Sequence, residues 1–566
     1  NGYRIGGSSS YNNTNDDYAS WTFRKQPGFF DIVTYTGNGS TQSISHNLGT
    51  TPGFIIIKCT SHSSTNWSCW HRSIPTSYVL LNLSQAAQSG VSRSVTDSIF
   101  QVMNWSDEGA NGRTYVAYLF AHDAQDFGTD SDESIIKCGS YTGNGNVNGL
   151  EIDLGFEPQW LLLKKTTGSA EAWIMHDNMR GIATGEKDPQ LQADGSGAEW
   201  SGYTAIDLTA TGFNITSTSA QYNENGQTYI YMAIRRPHKP ASKLTATDLF
   251  KPSIYTGNGG SSNLAIDAPT SPQAIDLAFF KSRQLNGRNW EVITRLLTNQ
   301  YKMENKGNPP KSLQFDTADA QADIYSFSST GRDLRVNQDS YGNLNVNGEN
   351  YGAWRFSRAP GFFDVVAYTG SASSSTEVKH NLGVVPEMVW RKKLNGTQQW
   401  YVWASALAGA QVFNGNFYTS SGGFSSGQYY PNDTQFGTSV TATAFTQGAL
   451  FQTSNNYIAY LFASVNGISK IGTYTGTGND LNVDCGFSSG ARFVMVKRAD
   501  STGDWYVWDT ARGIVAGNDG YLRFNLANDE DSADWIDPLS SGFTITSSAP
   551  AAINASGGTY LFYAIA

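Results

Sequence analysis

From Phe29 the chain reads FFDIVTYTG, TQSISHNL, GFIIIK, the tryptophan-bearing NWSCW and, from Thr114, TYVAYLF. These are short runs, several with apolar and polar side chains alternating, bounded by Gly, Asn, Ser and Pro. That is the period-two signature of β-strands. No stretch holds apolar positions at helical spacing over three turns. The pattern predicts an all-β chain of short antiparallel strands, with a Leu-Asn turn after each tryptophan strand (LLNLS at 80, LRFN at 522).

The pattern repeats. Tyr-Thr-Gly closes a strand at Tyr35, Tyr141, Tyr255, Tyr368 and Tyr474, and a tryptophan strand follows each time, at Trp67, Trp173, Trp290, Trp400 and Trp505. A spacing close to the commonest domain size predicts five copies of one folding unit. Residues 28–122, 135–236, 250–358, 361–464 and 468–566 are read as five β-sandwich units, jelly-roll or lectin-like, in an elongated array. Asn38-Gly39, Asn144-Gly145 and Asn258-Gly259 fall where an Asn-Gly pair accepts positive φ, so YTGNG is read as a strand end and the hairpin turn that reverses it. The fourth unit has YTGSASSS instead and predicts a longer loop there.

A longer period contains the shorter one. WTFRKQPGFFDIVTYTG at Trp21 returns as WRFSRAPGFFDVVAYTG at Trp354, and Tyr141 returns as Tyr474, each 333 residues on. The first unit therefore matches the fourth, and the second the fifth. In that frame residues 1–27 are the C-terminal hairpin of an incomplete preceding unit, either the remainder of a longer repeat protein or a segment completed by another subunit. AHDAQDFGTDSDES from Ala121 and RRPHKPAS from Arg235 read as stiff linkers between beads.

Composition narrows the chemistry. A net charge of −10, with no long Lys/Arg block, argues against nucleic acid or an anionic membrane as partner, and no apolar run approaches a membrane helix. Cys59, Cys69, Cys138 and Cys485 recur nowhere and form no zinc pattern. Cys59 and Cys69 could bridge across a hairpin, but buried free thiols are favoured. The acidic linker with Asp123, Asp126, Asp130, Asp132 and Glu133 lacks the spacing of a calcium loop. The DFG at Asp126 has no kinase context.

His46 and His380 occupy equivalent HNLG positions without converging partners and read as structural. Asp177 and Asp509 recur beside an RGI turn, yet no second carboxylate recurs with them in sequence, as glycoside hydrolysis would need. The chain is therefore read as no enzyme, with no cofactor and no metal site. The recurring tryptophans read as core before sugar platforms. Trp105, Trp200, Tyr429 and Tyr430, in variable loops, are the ligand candidates.

PGFFDVVAYTG, SHNLG with a following Pro, the IIIK-type strand, the RGI turn, NGRTYVAYLFA and AIRRPHKP together resemble the uncharacterised repeat domain of virion proteins in tailed bacteriophages, notably of marine cyanobacteria. The resemblance implies a virion structural protein at the particle surface, generally a tail fibre. Expected partners are other virion proteins, further copies of the chain (trimers among the options) and host cell-surface glycans met through weak multivalent sites. A head- or tail-attached decoration protein and a polysaccharide-degrading spike are the alternatives.

Overall fold

The computed structural model describes residues 4–14, 16, 18–128, 131–147, 150–182, 184–185, 187–237, 243–259, 264–266, 274–297, 311–313, 320–322, 325–327, 334–336, 344–394, 400–407, 412–413, 439–448, 451 and 455–566. The fold is all-β, and tandem β-sandwiches account for it. Among the described residues the three α-helices have four residues each. Two compact units emerge, Asn1–Gly139 with the first sandwich and Ser140–Ala566 with the others.

Every sandwich repeats one antiparallel plan. In the fifth, the opening strand Ser469–Thr475 pairs with the closing strand Thr559–Ile565, followed by Phe493–Arg498, Trp505–Asp509, Asp519–Arg523 and Asp531–Ala533. Over this large sheet lies a small one of Leu481–Asp484, Gly542–Ile545 and Ile536–Leu539. In the first sandwich Phe30–Thr36 pairs with Thr114–Ala121, whereas Gln42–Ser45 pairs with Ile99–Val102.

This arrangement corrects the reading of YTGNG as a hairpin turn. The strands before and after it belong to different sheets, so the motif is the corner at which the chain steps from the large sheet to the small one. The positive φ expected of its glycines is present, +75° at Gly39, +68° at Gly145 and +63° at Gly259.

Within Ser140–Ala566 the sandwiches are not spaced beads, and residues 238–242 of the RRPHKPAS linker lie outside the described residues. One core runs through the second to fifth sandwiches. In Phe493–Arg498, Phe493 and Met495 enter this shared core while Val494 and Val496 fill the fifth sandwich's own. In Asn456–Phe462, Ile458, Tyr460 and Phe462 face the shared core, and Tyr457, Ala459 and Leu461 face inward. A strand buried on both faces carries apolar residues at successive positions rather than alternate ones.

Aromatic contacts close the joints. Trp290 meets Phe524 edge-on at 4.7 Å, Phe250 meets Phe493 at 5.3 Å, and Phe462 meets Tyr563 at 5.4 Å. Such pairs add about 0.5–1.5 kcal/mol each beyond the area they bury.

Candidate functional site

The signature tyrosines build the corner. Each stacks on a tyrosine of the closing strand: Tyr35 on Tyr115, Tyr141 on Tyr229, Tyr255 on Tyr351, Tyr368 on Tyr457 and Tyr474 on Tyr560, with centroids 4.9 to 5.5 Å apart. The hydroxyls of Tyr35, Tyr141, Tyr255 and Tyr474 donate to the carbonyls of Glu108, Tyr222, Leu344 and Ile553 at 2.7 to 2.8 Å. Burial pushes the Tyr35, Tyr141 and Tyr474 phenols up.

The glycine two residues on lies where a Cβ would stand 2.1 to 2.4 Å from the carbonyl oxygen of Ala110, Glu224, Val346 or Ala555, at Gly37, Gly143, Gly257 and Gly476 respectively. In the first, second, third and fifth sandwiches a phenol thus ties the corner and only glycine clears the facing backbone.

The signature tryptophans divide. Trp173, Trp290, Trp400 and Trp505 are buried, the last three within the shared core. Trp67 is half-buried and stacks on Tyr118. A lysine one residue before the end of the preceding strand reaches over the ring, Lys58 on Trp67, Lys392 on Trp400 and Lys497 on Trp505, about 6 Å from each centroid. Lys497 Nζ donates to the carbonyl of Gly503 at 2.5 Å, and Lys58, Lys164 and Lys281 donate likewise to Thr65, Glu171 and Arg288. Burial lowers Lys497 to about 7 and Lys164 to about 8.

Asp177 and Asp509 acquire a partner that their linear spacing hid. Arg180 Nε lies 2.6 Å from Asp177 Oδ2 and Arg180 Nη1 lies 3.1 Å from Glu199. Arg512 Nε lies 2.6 Å from Asp509 Oδ2 and Arg512 Nη1 lies 3.3 Å from Glu530. A second carboxylate therefore does recur in space, correcting the sequence reading. A guanidinium occupies the gap between the two acids, where a hydrolase would seat its substrate oxygen. In the fifth sandwich Glu530 is also gripped by Arg283 of the third, at 2.9 and 2.7 Å.

A denser charge cluster joins three sandwiches. Arg358 holds Glu157 of the second sandwich through both terminal nitrogens at 2.7 and 2.8 Å, Asp276 of the third at 3.2 Å and Asp364 of the fourth at 3.4 Å. Burial alone would raise the Asp276 carboxyl, but Arg358, Arg236 and Arg295 outweigh it and hold the group below its ordinary range. Arg358 and Asp364 lie within the repeated SRAPGFFD stretch, whereas Glu157 and Asp276 are 201 and 82 residues away from Arg358.

His46 and His380 are buried, each touching a carbonyl through Nε2 (Thr96, Thr441) and accepting the N–H two residues on through Nδ1. Burial lowers both. The four cysteines are free and buried, so Cys59 and Cys69 are not bridged. Among the described residues no group of three acids, His or Cys is placed to hold a metal ion, and no helix is long and apolar enough to cross a membrane.

Of the ligand candidates, Trp105 is half-buried against Tyr78 at 4.9 Å. Trp200 is 47% exposed, meets Tyr203 edge-on at 4.8 Å and lies over Gly202, where a Cβ would stand 1.7 Å from the ring. Tyr429 and Tyr430 lie outside the described residues.

A domain of unknown function (DUF7483) matches the chain twice, over residues 1–237 and 245–566. The second match spans three sandwiches, and the break falls between the second and third. No curated protein matches the chain.

Proposed function

The chain belongs to the DUF7483 family, and on that premise we propose that it is a structural component of a bacteriophage virion, a tail fibre or fibre-like appendage that touches the host surface. The observation that carries this reading is the use made of the recurring chemistry. Tyrosines, tryptophans, lysines and arginine-bridged carboxylates that return from unit to unit are spent on corners and joints between sandwiches. Such investment suits a part that must keep its shape on a particle outside the cell.

Host contact is assigned to exposed aromatics, with Trp200 over Gly202 as the platform for the apolar face of a pyranose. One weak platform per chain acts through many copies on one particle. The test is antibody labelling of intact particles together with adsorption of particles carrying Trp200→Ala. Label at the tail with slowed adsorption supports the reading. Label along the head with unchanged adsorption replaces it by a decoration role confined to other virion proteins.

A further inference from the structure

The joint between the second and fourth sandwiches is built from two surfaces that each occur a second time in the chain. One half is the hairpin of Ile206–Thr209 and Gly212–Ile215, carrying Leu208 and Ala210. The other is the outer face of Phe363–Thr369, where Val365 and Ala367 point away from the fourth sandwich's own core. These residues line one crevice and are buried in it, Leu208 at 4% exposed and Val365 at 0%. Asn381 Nδ2 donates to the Ala210 carbonyl at 2.6 Å, and Lys379 Nζ lies 3.3 Å from Asp153.

The hairpin IDLTATGFNITS from Ile206 returns as IDPLSSGFTITS from Ile536, with the same strand register. The face FFDVVAYTG from Phe362 is also present as FFDIVTYTG from Phe29, so Ile32 and Thr34 stand where Val365 and Ala367 stand. The frame of that face is kept. Lys25 pairs with Asp31 as Arg358 does with Asp364, and each acid accepts one asparagine backbone N–H at 2.7 Å, from Asn47 and Asn381. Within its own unit, neither second occurrence is covered by the described residues. Ile32 is 41% exposed, and Pro538 and Ser540, in the places of Leu208 and Ala210, are exposed.

We infer that the fifth-sandwich hairpin of one copy docks on the Phe30–Thr36 face of a second copy, repeating between molecules the joint made inside each. Pro538 covers Ile32, and the exposed Asn47 side chain donates to the Ser540 carbonyl as Asn381 does to Ala210. The Lys379–Asp153 ion pair has no counterpart, since Ser45 and Asp484 stand there, so the contact is weaker than the one inside the chain. The two patches differ, so the contact is heterologous and adds copies head to tail. This inference does not rest on the virion reading.

The test is sedimentation velocity on the whole chain at rising concentration, with Ile32→Asp and Ser540→Arg, each first checked for an unchanged melting temperature. Wild type is expected to grow beyond dimers, and each variant alone to stay monomeric. Their equimolar mixture, which retains one good head and one good tail, gives dimers that do not grow. Ile254→Asp, at a comparably exposed position of the third sandwich, associates as wild type does. Wild type that stays monomeric, Ile32→Asp that still associates, or a mixture that stays monomeric overturns the inference.

Discussion

Trp354 of the third sandwich donates its indole N–H to Asp509 Oδ2 of the fifth at 2.9 Å, and Arg512, paired with that same oxygen, lies over the indole face at 5.3 Å. A tryptophan can enter an apolar joint only if its N–H finds an acceptor, and the arginine-bridged acid supplies one. The carboxylate beside the RGI turn is thus a fastening between sandwiches.

Replacing Trp354 by Phe keeps most of the ring packing and removes this hydrogen bond. The expected loss is about 1.5–3 kcal/mol, typical of a bond to a charged group, measured by denaturant unfolding of the whole chain. No loss would mean that the indole N–H was equally well satisfied elsewhere.

Arg358→Ala removes the guanidinium shared by Glu157, Asp276 and Asp364, leaving Arg236 at 3.7 and 3.8 Å from the first two, and is expected to cost about 3–5 kcal/mol near neutral pH. The pH dependence has a definite sign. Asp276 has a folded pKa held below its unfolded value, so its contribution is present above the ordinary carboxylate range and is lost as pH falls through the folded value. In the variant Asp276 loses the largest of the charges that hold its carboxyl down, so the deficit relative to wild type shrinks on acidification. A deficit independent of pH would argue against the cluster as its source.

Lys497, lowered by burial to about 7, behaves oppositely to a salt-bridged lysine. A base whose folded pKa lies below its unfolded value disfavours folding below the unfolded pKa, increasingly as pH falls towards 7, and levels off below that. Lys497→Met removes this slope. The melting temperature of wild type relative to Lys497→Met should therefore rise between about pH 7 and pH 10. A flat difference would contradict the assignment.

At the corner, Gly476→Ala drives a methyl into the Ala555 carbonyl and is expected to cost about 1–3 kcal/mol, as overpacking does. Gly557→Ala, where a Cβ meets nothing within 4 Å but φ is +78°, separates left-handed strain from the close approach. Thermal melts of the two variants report which effect dominates.

Strand content was legible because period-two runs and Tyr-Thr-Gly corners are local signals, and the 333-residue period paired first with fourth and second with fifth sandwiches. The shared core was partly legible in hindsight. VMVK from Val494 and LLLKK from Leu161 are continuous apolar runs, the mark of strands covered on both sides, but GFIIIK from Gly53 in the first sandwich, outside that core, has the same run, so the run alone did not separate them. The corner was misread because Asn-Gly signals positive φ without saying which sheet the next strand joins. The Arg358–Glu157 and Arg283–Glu530 contacts were out of reach, since those partners are brought together only by packing between sandwiches.

The most direct test of that shared core is hydrogen exchange of the whole chain with Trp290→Ala, read by mass spectrometry on the strands Leu277–Ser282, Met388–Lys393 and Phe493–Arg498. Trp290 belongs to the third sandwich but packs on Phe524 and donates to the Arg523 carbonyl of the fifth at 2.9 Å. The account predicts that all three strands lose protection together, by an amount in keeping with the roughly 3–5 kcal/mol that a buried Trp→Ala change costs. Loss confined to Leu277–Ser282 would show that the sandwiches stand on separate cores and would contradict it.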